Sequence, residues 1–93
     1  MTKAEIVNEI AKSTGVEKTA VASVVESFME NVKNSMISGE DVFLRGFGSF
    51  VIKHRAKKVA RNISKNTTIV IDAHNVPAFK PAKAFLEKMK ETN

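Results

Sequence analysis

Apolar positions recur at two different periods along this chain, and the first change comes just after Gly39. Ile6, Val7, Ile10 and Ala11 repeat every three to four positions, the spacing of one helical face. Thr2 followed by Glu5 forms a capping box ahead of them, and Gly15 suits the residue just past a helix end. A first helix is predicted over about 3–13. Val21, Val24, Val25, Phe28, Val32 and Met36 then extend the helical period, with Glu26, Glu30 and Lys33 on the opposite side and Gly39 as the stop. A second helix is predicted over about 18–38. Its start is weakly signalled, because Glu17 caps less well than Ser or Asp.

Beyond Gly39 the period shortens. Val42-Phe43-Leu44 and Phe50-Val51-Ile52 read as two β runs joined by the glycine-rich turn Gly46-Phe47-Gly48. The second strand is expected to continue through Val59 to Arg61, turn across Asn62–Asn66 and return through Thr67–Ile71. Some ten extended residues reach roughly 33 Å, farther than so small a body covers, so the ribbon is expected to protrude. Val76-Pro77-Ala78-Phe79 leads back to the body, and Pro81 suits the first turn of a last helix over about 81–91 carrying Ala84, Phe85 and Met89. The expected class is α+β: two helices, a three-stranded sheet with a protruding β-ribbon arm, and a C-terminal helix. Ninety-three residues allow one domain, with the body at about 1–52 and 75–93 and the arm at about 53–74.

Charge sharpens this picture. The net charge is +5, yet residues 1–44 carry four Lys against seven acids, a net of −3, while residues 45–93 carry eleven Lys and Arg against three acids, a net of +8. Attraction for anions therefore lies in the second half. Lys53, Arg55, Lys57, Lys58, Arg61 and Lys65 fall within the ribbon without one intervening acid, and a lone apolar residue, Ile63, stands near its tip. A cationic ribbon with a hydrophobic tip is laid out to grip a polyanion. Lys80 and Lys83 flank the start of the last helix, where backbone amides and the helix dipole favour a phosphate.

The chain has no cysteine, so hydrophobic burial must hold it together. Its amino terminus has an acid where a signal peptide needs an apolar core, and no stretch approaches the roughly 20 apolar residues of a membrane span. A cytosolic, soluble protein is expected. With some twenty residues in a solvated ribbon, about seventy remain for a core, close to the size at which folding alone is marginal. Six Phe exceed what two helices and a hairpin bury easily. A twofold dimer would bury Phe28, Phe43, Phe47, Phe50 and Phe79 across its interface, against the alternative of a compact monomer with Phe-rich packing.

In this order of elements Gly46-Phe47-Gly48-Ser49-Phe50, His54-Arg55-Ala56, Arg61-Asn62 and Asn75-Val76-Pro77-Ala78-Phe79 become diagnostic. The chain resembles the bacterial histone-like HU and integration host factor family over essentially its whole length. The resemblance implies an intertwined homodimer, paired with itself or with a paralogous chain, whose two arms wrap into the minor groove of DNA. It implies that Arg55, Lys58 and Arg61 are cationic arm positions, Asn62 the tip, and Lys3 and Lys83 basic positions of the body. Lys53, Lys57 and Lys65 join them by charge and location. The sequence departs from the family where Ile63 replaces the usual Pro after Arg-Asn, and where Asn66 replaces the usual Gly. Ile remains an apolar wedge, and Asn is the best non-glycine choice for a positive φ.

Each site has a plainer alternative. Ile63 is either a wedge between base pairs or a cap packed on the arm itself. Gly46 and Gly48 serve either tight turn geometry or the approach of a phosphate to bare backbone. His54 and His74 lie at similar distances either side of the tip and could face each other, but with no Cys and only Asp72 nearby they make no convincing metal site. No Ser–His–Asp set, carboxylate pair or phosphate loop is present, so no enzyme, cofactor or small-molecule substrate is expected. The expected function is architectural: largely sequence-independent binding, bending and compaction of double-stranded DNA in the bacterial nucleoid. The alternative within the family is a site-specific bending factor of the integration host factor type. A cationic module for membranes or polysaccharide, and an RNA binder, are the readings from other classes.

Overall fold

A computed structural model describes residues 1–62 and 67–92, with Arg61 and Asn62 placed by their backbone. Its elements run α1 (Lys3–Thr14), α2 (Lys18–Ile37), β1 (Val42–Leu44), β2 (Gly48–Arg55), β3 (Lys58–Asn62), β4 (Thr67–Ile71), β5 (His74–Pro81) and α3 (Lys83–Glu91). The class is α+β, and the chain parts into two compact units, Met1–Ser35 and Met36–Asn93.

The first unit holds α1 and most of α2. Thr2 caps α1 from an extended conformation, its Oγ1 accepting the Glu5 N–H at 3.3 Å. The same hydroxyl donates to Glu5 Oε1 at 3.3 Å, so the capping box closes through the Thr side chain. Gly15 ends the helix in the left-handed region, its N–H donating to the Ala11 carbonyl at 3.0 Å. Glu17 gives α2 its first acceptor through its backbone carbonyl, which takes the Val21 N–H at 3.0 Å. Val7, at 5% exposure, and Val21, at 4%, are the buried apolar residues among those described. So small a buried set leaves the rest of the apolar surface half-covered or exposed.

The second unit contains two antiparallel sheets. One has strand order β1-β2-β5 and the other pairs β3 with β4. The second strand thus does not run unbroken from the body into the ribbon: the ladder stops after Arg55↔His74 and resumes at Lys58↔Ile71. Ala56 and Lys57 on one leg face Ala73 and Asp72 on the other, so the register carries across a gap of two residues per strand. His74 Nδ1 lies 2.9 Å from the Asp72 carbonyl oxygen, giving that backbone group a side-chain partner inside the gap.

The expected return segment Val76–Phe79 is the middle of a full strand, and the last helix begins at Lys83 rather than at Pro81. Pro81 pairs with Gly48 at the end of β5, where its missing N–H costs the ladder nothing. The Ala82 N–H instead donates to the Phe47 carbonyl at 2.9 Å, fastening the start of α3 to the β1–β2 turn. That turn is closed by Phe47 N–H to the Leu44 carbonyl at 3.0 Å, and Gly46 occupies its third position with φ 82°. A positive φ there is what a turn reserves for glycine.

Candidate nucleic-acid interface

Pleating sorts the residues of β1-β2-β5 onto two faces with different chemistry, because directly opposed residues share a face and neighbours alternate. Phe50 opposes Val42 on one side and Phe79 on the other, and Leu44 opposes Gly48, so Val42, Leu44, Phe50, Ile52 and Phe79 share one face. On that side ring centroids lie 5.1 Å apart for Phe47–Phe79 and Phe50–Phe79, and 5.9 Å for Phe47–Phe85. Phe47 and Phe79 nonetheless stay partly exposed. An aromatic cluster left open in this way is apolar surface with room for a second chain.

The other face carries Lys53, Arg55 and Lys80, all exposed, with half-buried Val51, Val76 and Ala78 between them. Sequence reasoning placed Lys53 and Arg55 on the arm and Lys80 beside the last helix; the register brings all three onto one sheet. Lys57 falls in the gap between sheets and Lys58 opens β3. Among the described residues the ion pairs join Lys3 with Glu26, Lys33 with Glu30 and Lys88 with Glu91, and none involves these five cations.

The β3–β4 ribbon is exposed on both sides. Val59 and Val70 are paired and exposed, and so are Ile69 and Ile71 on the alternate side. Arg61 pairs with Thr68 and Asn62 with Thr67. The proposed wedge Ile63 and the tip cation Lys65 lie outside the described residues, as does Asn66.

The remaining expected residues divide. Lys83 is the first residue of α3, whose N-cap Ala82 offers no side-chain acceptor to the leading amides. Lys3 is tied to Glu26 across α1 and α2 instead of standing free. Gly46 is required by its positive φ. Gly48 is required by space, since a Cβ there would lie 2.6 Å from Phe79 Cζ and 2.7 Å from the Lys80 carbonyl oxygen. Both glycines therefore have structural reasons that need no ligand. Phe28 is half-exposed on α2, in the first unit. Phe43 parts from the other aromatic residues: it opposes Ser49, which in turn opposes Lys80, and so lies on the cationic face.

His54 and His74 do not face each other. His54 opposes Asn75, with Nδ1 3.1 Å from Asn75 Oδ1, while His74 opposes Arg55 on the reverse face. Among the described residues no group of three or more His, Asp or Glu is placed to hold a metal. No helix of the described residues is long and apolar enough to cross a membrane. Arg45 is the residue that sequence reasoning passed over. It is exposed in the β1–β2 turn, and the signal was its position directly before Gly46.

The family model described as bacterial DNA-binding protein matches residues 1–90. Among curated proteins, the DNA-binding protein HU of Staphylococcus aureus is 37% identical over 90 residues, covering 97% of this chain and 100% of its own length. An SPbeta prophage-derived DNA-binding protein HU 2 of Bacillus subtilis is 38% identical over 90 residues, covering 97% of this chain and 98% of its own. Among solved structures, Anabaena HU in a cocrystal with DNA superposes with a TM-score of 0.89 at 36% identity, covering 96% of this chain and 97% of that one. Fold, length and sequence agree, and the chain belongs to the bacterial DNA-binding protein family that includes HU.

Proposed function

We propose that this chain is an architectural DNA-binding protein that binds, bends and compacts duplex DNA largely without reading sequence. It acts as an intertwined homodimer in the nucleoid, each chain contributing one 93-residue domain. The observation that carries this reading is the set of exposed cations along the second unit. Lys53, Arg55 and Lys80 share one sheet face, and Lys57 and Lys58 extend it onto a ribbon exposed on both sides. Closely spaced cations that outnumber the acids beside them repel one another until a polyanion neutralises them, and phosphates release counterions when they do so.

The parts follow from that. Arm cations Lys53, Arg55, Lys57, Lys58, Arg61 and Lys65 neutralise phosphates along the groove, while Asn62 and Ile63 at the tip enter it. Ile63 wedges between base pairs and kinks the duplex. Lys80, Lys83 and the uncapped amides at the start of α3 clamp a phosphate on the body, beside the Gly46–Gly48 turn that the Ala82–Phe47 hydrogen bond holds in place. Lys3, in the first unit, takes a phosphate of its own by exchanging Glu26 for it. The open Phe47–Phe50–Phe79–Phe85 cluster and Phe28 supply the apolar surface of the dimer interface. The names of the family relatives and the DNA-bound state of the Anabaena structure support this reading.

The test is a salt titration of fluorescein-labelled random duplex, read by anisotropy. Wild-type affinity is expected to fall linearly on a log–log plot, and Lys53→Ala and Arg55→Ala each to flatten the slope by about 1.8, because the homodimer loses each cation twice. Tighter binding to anionic vesicles or to duplex RNA than to duplex DNA at matched salt would overturn it.

A further inference from the structure

Strand β1 lies at an edge of its sheet, and the roles proposed above use none of its residues. Among the described residues its one neighbour is β2. The Leu44 carbonyl takes the Phe47 N–H on the β2 side, so the backbone groups of Phe43, one residue earlier, turn to the open edge. Edge strands are usually blunted by Lys or Pro, and Val42-Phe43-Leu44 has neither. Phe43 is 74% exposed and lies on the opposite face from Phe50 and Phe79. The aromatic cluster does not cover it.

Charge is arranged symmetrically about this ring. Asp41 precedes Phe43 by two residues and Arg45 follows it by two, and both are exposed. Beside Phe43 runs an open groove of about 630 Å³ that Glu40, Asp41, Ile52 and Asn75 line with it. Asp41 is held there by its Oδ1, which accepts the Ile52 N–H at 3.0 Å. The groove is acidic, and a cation two residues from an aromatic side chain would fill it.

We propose that β1 is a self-recognition edge. Two copies of this chain pair their β1 strands antiparallel about a twofold axis centred on Phe43, joining two three-stranded sheets into one of six strands. In that register Phe43 opposes its own copy, and Asp41 of each chain opposes Arg45 of the other, whose guanidinium enters the Glu40–Asp41 groove. The same patch serves on both chains, as a closed twofold contact requires. Aromatic and opposite-charge pairs across strands are the attractive ones. This contact is separate from the Phe47–Phe50–Phe79 surface and links one assembly of the protein to the next.

Sedimentation velocity of the full chain without DNA, over a concentration series, tests it. The wild-type protein is expected to double in mass reversibly beyond its basic assembly. Phe43→Lys is expected to weaken that doubling by about tenfold or more, with the basic assembly and the circular dichroism spectrum preserved. Asp41→Arg and Arg45→Asp are each expected to weaken it, and the two together to restore it. Absence of doubling up to millimolar protein would overturn the proposal, as would a Phe43→Lys variant that doubles like wild type. Loss of the basic assembly in both Phe43→Lys and Phe43→Gln would also overturn it, by assigning Phe43 to the dimer core. Failure of the charge exchange to restore doubling would refute the register.

Discussion

Replacing Gly48 by Ala adds one methyl group at a place where the structure leaves no room for it. The new Cβ would sit 2.6 Å from Phe79 Cζ, 2.7 Å from Phe79 Cε1 and 2.7 Å from the Lys80 carbonyl oxygen. None of these can move away cheaply. The Phe79 ring is held between Phe47 and Phe50 at centroid distances of 5.1 Å, and Lys80 belongs to the β2–β5 ladder. Overpacking of this kind costs about 1–3 kcal/mol. Gly48 lies outside the left-handed region, so the substitution also gains about 0.4–1 kcal/mol by restricting the unfolded chain. The net expectation is a loss of about 1–2 kcal/mol, which for a chain of this size lowers the melting temperature by roughly 5–15 °C. Thermal melts followed by circular dichroism measure it, at one fixed protein concentration because association shifts the midpoint. A melting temperature equal to or above wild type would refute the close packing of Gly48 against Phe79.

Gly46→Ala tests the opposite cause, since nothing lies within 4 Å of its Cβ position but its φ is +82°. A loss of about 1–2 kcal/mol is expected from backbone strain alone, read from urea unfolding. Thr2→Ala removes the acceptor of the Glu5 N–H and is expected to cost about 1 kcal/mol, again visible as a lower urea midpoint. Hydrogen bonding to Glu30, 2.6 Å away, and that carboxylate's charge raise the Lys33 pKa above its ordinary 10.5. The stabilisation from this pair is therefore present at neutral pH and lost as pH rises through the folded-state pKa of Lys33. Glu30→Gln is expected to lower that pKa, as followed by the Lys33 side-chain shifts in a proton-detected NMR titration.

Local signals carried the helices well. Thr2, Glu5 and Gly15 act within one turn of the residues they cap, so α1 and α2 ended within a residue of their expected limits. Strand membership was harder, because it depends on partners far away in sequence. Val76–Phe79 looked like a connection until pairing with Phe50–Lys53 made it part of β5, and Pro81 looked like a helix start until Gly48 claimed it for the sheet. The same long-range register decides faces. Lys80 shares a face with Lys53 and Arg55, and Phe43 lies on the opposite face from Phe50 and Phe79, for reasons that no spacing within one strand reveals. Family resemblance could name Lys3 as a basic body position, yet its pairing with Glu26 appears only when α1 and α2 are folded together.

Bending is the central claim, and energy transfer between dyes at the two ends of a short duplex measures it most directly. Saturating wild-type protein is expected to bring the ends together and raise the transfer efficiency. The Ile63→Ala protein is expected to bind the same duplex with the ends left farther apart. Wild-type binding that leaves the end-to-end distance at its free-duplex value would contradict the account, and an unchanged bend with Ile63→Ala would remove Ile63 as the wedge.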